Sequence, residues 1–163
     1  MKRAFSLAAV AATALCVLAQ PTAAAQPVAS VTGSITLDEF GNSITVSARE
    51  YANGEVSGFF ILESGAGLRG RSHTRIRVEV TCLEVVGSHA VVGGTTVRAS
   101  PTEGTVFPRH AVALEDNGPQ QPDRWMLFST DAGDPANPCL EAIIPASVPA
   151  LRGNITIRDG TLS

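Results

Sequence analysis

Charge is scarce in this chain. Of its 163 residues, 17% are Asp, Glu, Lys or Arg, and the formal net charge is −3. A protein that holds nucleic acid through bulk charge is strongly basic, so the composition argues against that class. Aromatic residues are scarcer still at 5%, with a single Trp. Long apolar runs are missing after the N-terminus, and no 12-residue window beyond it carries a 3.6-residue period. Internal repeats and linkers are absent as well. So are the short catalytic signatures, whether a G-x-S-x-G nucleophile elbow, an H-E-x-x-H, an H-x-H or a Cys-x-x-Cys. What is present is a 44% hydrophobic composition with 15 Gly and 10 Pro. That is enough apolar matter for one core, with the turn residues of a β protein.

The first residues read as an address. Lys2 and Arg3 precede the uncharged run Ala4 to Ala19, which is shorter than the ~20 residues a spanning helix needs. Ala23-Ala24-Ala25 then supplies small residues where signal peptidase requires them. The expectation is a signal peptide over 1–25 and a single all-β domain over 26–163. The export would be secretory, leaving no integral membrane segment. Leu15 before Cys16 excludes a lipoprotein signal, which wants a small residue there. Loss of Cys16 leaves Cys82 and Cys139. An even pair in an oxidising compartment forms a disulfide, and a loop this long gives a staple of roughly 4 kcal/mol at the upper end.

Period-two alternation recurs along the remaining chain. It predicts strands over Val31–Leu37, Ser43–Ala48, Glu55–Glu63, Arg75–Val85, Ala90–Ala99, Arg109–Glu115, Arg124–Ser129 and Leu151–Arg158. In the clearest, Ile76, Val78, Val80 and Cys82 share a face, and parity flips after Cys82 to Leu83 and Val85. Such a flip predicts a β-bulge. Gly93-Gly94 inside the next strand marks a bulge or a close backbone approach. Asn53-Gly54 and Asn117-Gly118 are hairpin signals. About eight antiparallel strands with short connections favour a mostly up-and-down order, in a closed or nearly closed barrel. A two-sheet sandwich would show the same alternation.

Several residue groups bear on chemistry. Gly65 to Gly70 spells G-x-G-x-x-G, but a strand follows where a dinucleotide site needs a helix, so a hairpin loop is expected. Arg69, Arg71, His73, Arg75 and Arg77 are spaced by two. In an extended chain they form a cationic ridge suited to an anionic surface or polymer. Cross-strand carboxylates such as Glu63 or Glu103 would neutralise it. No aromatic residues interleave, so no nucleic acid is expected. Glu115, Asp116, Asn117 and Asp123 cluster about one hairpin, and Asp131 and Asp134 in the next loop. Asx residues are favoured in turns without any metal, and no metal or other cofactor is expected. His110 shares a strand face with Val112 and Leu114, as a satisfied core-edge histidine would. One of Trp125 and Met126 faces inward. With Phe59, Phe60, Phe107 and Phe128, Trp125 could line a cavity if the barrel were hollow, although so few large side chains favour a filled core. Asn154-Ile155-Thr156 is a glycosylation sequon inside a predicted strand, and is read as strand.

Val56-Ser57-Gly58, Val78-Glu79-Val80-Thr81-Cys82-Leu83-Glu84-Val85, Ala90-Val91-Val92-Gly93-Gly94, Glu115-Asp116-Asn117-Gly118 and Asn137-Pro138-Cys139 follow one another in this order. In that order they resemble a largely uncharacterised family of small exported bacterial β-domain proteins. Those have a V-T-C-L strand, a G-G strand, a D-N-G hairpin and a late second cysteine. The resemblance spans most of 30–140, and the arginine-rich positions 69–77 depart from it. It implies export, an all-β fold and the disulfide, and it brings no catalytic residues. The expectation is a non-catalytic binding module for a small ligand or an anionic surface. An adhesive protein–protein module is the alternative, and a hydrolase with a loop-built site comes third.

Overall fold

The structure is a computed structural model that describes residues 26–65, 73–100, 106–130, 139 and 146–160. The expected signal peptide, Arg69, Arg71, Glu103, Asp131 and Asp134 lie outside the described residues. The chain is all-β. Its strands are β1 (Pro27–Thr36), β2 (Ser43–Tyr51), β3 (Val56–Ser64), β4 (Thr74–Val86), β5 (His89–Ser100), β6 (Arg109–Glu115), β7 (Arg124–Thr130), β8 (Val148–Pro149) and β9 (Arg152–Asp159). Eight coincide with predicted strands to within a few residues. The ninth, β8, is two residues long and carries no periodicity to read.

All nine belong to one antiparallel sheet in the order β8-β7-β6-β5-β4-β3-β2-β1-β9. β1 to β7 form an up-and-down meander, as short turn-rich connections favour. The sheet curls into an open half-barrel around a continuous apolar core. Alternation fills that core. Val31 and Ile35, Ile44 and Val46, Phe60, Val78, Val92, Val112 and Leu114 are buried on the inner face. Trp125 and Leu127 pack against them.

The seam is formed by the shortest and the last strand. β8 pairs with β7 through Trp125↔Val148 and Arg124↔Pro149. Two residues later β9 pairs with β1 along its length, from Thr36↔Arg152 to Ala29↔Asp159. In between, Ala150 N donates to Asp123 O and Leu151 N to Thr36 O. The start of β7 therefore lies beside the end of β1, and the barrel is strongly staggered. Along the other edge of β9, Ile155 N donates to Asp123 Oδ2 at 2.5 Å and Ile157 N to Asp116 Oδ2 at 3.2 Å. The same carboxylates also receive Asn117 N and Gly118 N within their own hairpin. The acidic hairpin thus ties the two sides of the half-barrel together by capping N–H groups of β9.

Two bulges shape β4 and β5. Val80 pairs with Gly94 and Cys82 with Gly93, which leaves Thr81 as the extra residue. The predicted bulge is present, but one residue earlier, so Cys82 leaves the inner face that Val80 and Leu83 occupy. A Cβ on Gly94 would lie 2.0 Å from Glu79 O, the close approach its glycine permits. The second bulge is on β5. Arg77 pairs with Arg98 and Val78 with Thr96, which leaves Val97 extra.

A disulfide joins Cys82 to Cys139, 57 positions apart with Cα atoms 6.0 Å apart. It anchors the connection between β7 and β8 to the outside of β4. Cys139 is buried there, its Sγ 3.5 Å from Val91 O. Ala111 and Ala113, on the outer face of β6, are buried as well, so both faces of that strand are covered.

Candidate functional site at the barrel mouth

The open end of the barrel is built from three neighbouring segments whose polar groups hold one another. Asp38 shapes the β1–β2 turn by accepting Phe40 N at 2.9 Å, Asn42 N at 3.2 Å and the Asn42 side-chain amide. Desolvation pushes the Asp38 carboxyl up, but the bonds from Asn42 and Phe40 outweigh it and hold its pKa below the usual 3.8. Asn42 Oδ1 in turn accepts Gly65 N at 3.1 Å, tying the turn to the end of β3. Ser64 Oγ accepts Thr74 N across to β4. On the opposite wall, Thr96 Oγ1 donates to Phe107 O and Thr96 N to Pro108 O, which fixes the entry to β6.

Between these walls lies a cavity of about 440 Å³. Leu37, Leu62, Ile76, Phe107, Trp125 and Leu127 form its apolar lining. Of the Trp125–Met126 pair, Trp125 is the inward member. The core beneath is packed, as expected, so the space is at the mouth and not through the barrel. Of the phenylalanines Phe107 lines it, whereas Phe60 is sealed in the core.

His110 sits in this cavity at 3% exposure. Its Nδ1 is 2.8 Å from Ser129 Oγ on β7, its register partner. Burial lowers its pKa below the ordinary 6.5, and the Phe107 carbonyl opposes that only in part, so the ring is neutral at pH 7. Trp125 Nε1 and His110 Nε2, both buried, make no hydrogen bond of full geometry among the described residues, although the Phe107 carbonyl lies near enough to the His110 ring to favour its charged form. The expectation of a satisfied histidine is therefore met at one nitrogen only. An unmade bond on a buried polar atom costs about 1–3 kcal/mol, so two on one cavity call for an explanation.

The His110–Ser129 pair has the spacing of a base and a nucleophile, but a triad needs a carboxylate to orient the imidazole. Nε2 has none among the described residues. Nor, among the described residues, do three His, Cys, Asp or Glu side chains come together there as a metal site would require.

The arginine ridge is only partly in view. His73, Arg75 and Arg77 lie along one groove on the outer face of the sheet, about 600 Å³, joined by Ile61, Arg98 and Ser100. Arg75 Nε lies 3.4 Å from Glu63, the cross-strand carboxylate anticipated for it. The Arg77 guanidinium stacks on Phe59, 4.2 Å from the ring centroid. Arg98 was not among the predicted ridge residues. Parity along β5 points it inward, and the bulge at Val97 turns it out to face Arg77.

Comparisons of the chain with protein-family models, with curated proteins and with solved structures found no match.

Proposed function

We propose that this protein is an exported, disulfide-stapled binding domain that performs no chemistry and takes a small, largely apolar ligand in its barrel mouth. The observation that carries this reading is the pair of buried ring nitrogens, His110 Nε2 and Trp125 Nε1, which among the described residues make no hydrogen bond of full geometry on one apolar cavity. Indole N–H can only donate, so the ligand brings an acceptor such as a carbonyl, ether or hydroxyl oxygen. Its apolar body lies against Trp125, Leu127 and Phe107. The volume falls within the ~300–1,000 Å³ of small-molecule sites, and the hydrogen-bonded rim is already in place before any ligand enters. The expected signal sequence and the disulfide support export. The resemblance to small exported bacterial β-domain proteins accords with it.

Trp125 is the only tryptophan, so its fluorescence reports on the mouth directly. Titration with the neutral apolar dye 1-N-phenylnaphthylamine is expected to give saturable energy transfer from Trp125 at one dye per chain. His110→Tyr, which narrows the cavity without adding a second indole, should weaken or abolish saturation. Non-saturable transfer, or transfer that His110→Tyr leaves unchanged, would sink the proposal. Labelling of Ser129 by a fluorophosphonate would instead show an activated serine and overturn the non-catalytic reading.

A further inference from the structure

The outer groove carries a second inference, independent of the mouth. Two arginines stand directly opposite each other across the β4–β5 ladder, Arg77↔Arg98. Like charges in that position repel and weaken a sheet. A bulge brings Arg98 there, although regular pairing would have placed Val97 against Arg77. Arg75, two register pairs along on the same face, adds a third guanidinium, and His73 lines the end of the groove. Among the described residues, the carboxylates on this face of β3 and β4 are Glu63, engaged with Arg75, and Glu79, whose register partners are Thr95 and Phe59. Among the described residues neither Arg77 nor Arg98 forms an ion pair. Arg77 is held in place by the Phe59 ring, which leaves the edge of its guanidinium free to donate. A local arrangement that costs stability and is built by a strand irregularity has the character of a binding site.

We propose that this groove is an oxyanion site, in which a sulfate or phosphate group is gripped between Arg77 and Arg98 with Arg75 at its flank. Planar guanidinium forks match such oxygens, several at a time. The anion also removes the repulsion between the two arginines, so binding and folding are coupled. It follows that Arg98 lowers the stability of the free protein and raises that of the complex.

Thermal unfolding tests this with inorganic sulfate, inorganic phosphate and the sulfated polysaccharide heparin, each against sodium chloride at equal ionic strength. The wild type is expected to gain melting temperature over the chloride reference. Arg98→Ser and Arg98→Glu are expected to lose that gain. Without anion, Arg98→Ser should melt no lower than wild type and Arg98→Glu higher, because the repulsive pair becomes an attractive one. Arg158→Ser, at an exposed position of β9 away from the groove, removes the same charge and should keep the full response. A gain with the inorganic ions shows a site that needs only the oxyanion. A gain with heparin alone shows one that takes the group as an ester on a polymer. An unchanged response in Arg98→Ser, an equal loss in Arg158→Ser, or no gain with any of the three anions would overturn the proposal.

Discussion

At the scale of single residues, the chain spends stability at a few positions and recovers it elsewhere. His110 is the clearest. Replacing it with Leu removes an unpartnered buried nitrogen and loses one bond to Ser129, whose hydroxyl is exposed and can turn to water. Stability at pH 7.5 is expected to hold or to rise by about 1 kcal/mol, while dye affinity at the mouth falls. The pH dependence changes too. The folded protein holds His110 with a lowered pKa, so below its ordinary 6.5 the unfolded chain binds more protons than the folded one. Wild-type stability should therefore fall as the pH drops through 6.5 toward 5, and urea unfolding of His110→Leu should show a shallower fall. Gly94 is the converse case. Its Cβ would meet Glu79 O at 2.0 Å, so Gly94→Ala should cost more than the ~1–3 kcal/mol typical of overpacking, read as a lower urea midpoint. The special role of Gly93-Gly94 could be read beforehand, because glycine inside an alternating strand has few other reasons to be there. Arg98 could not, since its outward direction depends on an extra residue that leaves no mark in the alternation.

At the scale of elements, the strands follow from side-chain periodicity and the seam does not. Alternation reports which residues of a strand are half-buried, so β1 to β7 and β9 were legible to within a few residues. It is silent on which strand lies beside which, and a barrel and a sandwich produce the same pattern. The tie across the open side rests on Asp116 and Asp123, and in sequence these are indistinguishable from ordinary turn formers. Asp123 is 2% exposed and accepts two backbone N–H groups, Ile155 and Asn117. Asp123→Ala leaves both donors unmet and should cost about 2–4 kcal/mol, at ~1–3 for each orphaned group with partial rescue by water. Asp123→Asn, which still presents one carbonyl oxygen, should cost less. Hydrogen exchange is the sensitive readout. The amides of Ile155 and Ile157 should lose protection before those of β3 and β4 in either variant, and equal loss everywhere would place the role of Asp123 outside β9.

At the scale of the whole molecule, the disulfide and the last strand divide the work of holding the barrel. Cys82 and Cys139 pin the connection between β7 and β8 to the outside of β4, away from both the core and the mouth. Reduction, or Cys82→Ser with Cys139→Ser, should therefore lower unfolding free energy by roughly 2–4 kcal/mol without opening the mouth. Guanidinium unfolding checks the first half of that statement, and dye binding to the reduced protein checks the second. The cysteine count foretold the bond. It could not foretell that the bond clamps a connection and leaves the ladder untouched.

The pairing of β1 with β9 has a temporal side. Every neighbouring pair from β1 to β7 is a hairpin that its own turn can nucleate, but the first and last strands must find each other across the entire chain. Until β9 leaves the ribosome, or the translocation channel if the protein is exported, β1 is an open edge beside uncovered valines and isoleucines. Assembly thus has a built-in delay, a meander that waits for its clasp. During that wait the chain is at its most adhesive, and a holding chaperone would have the most to protect.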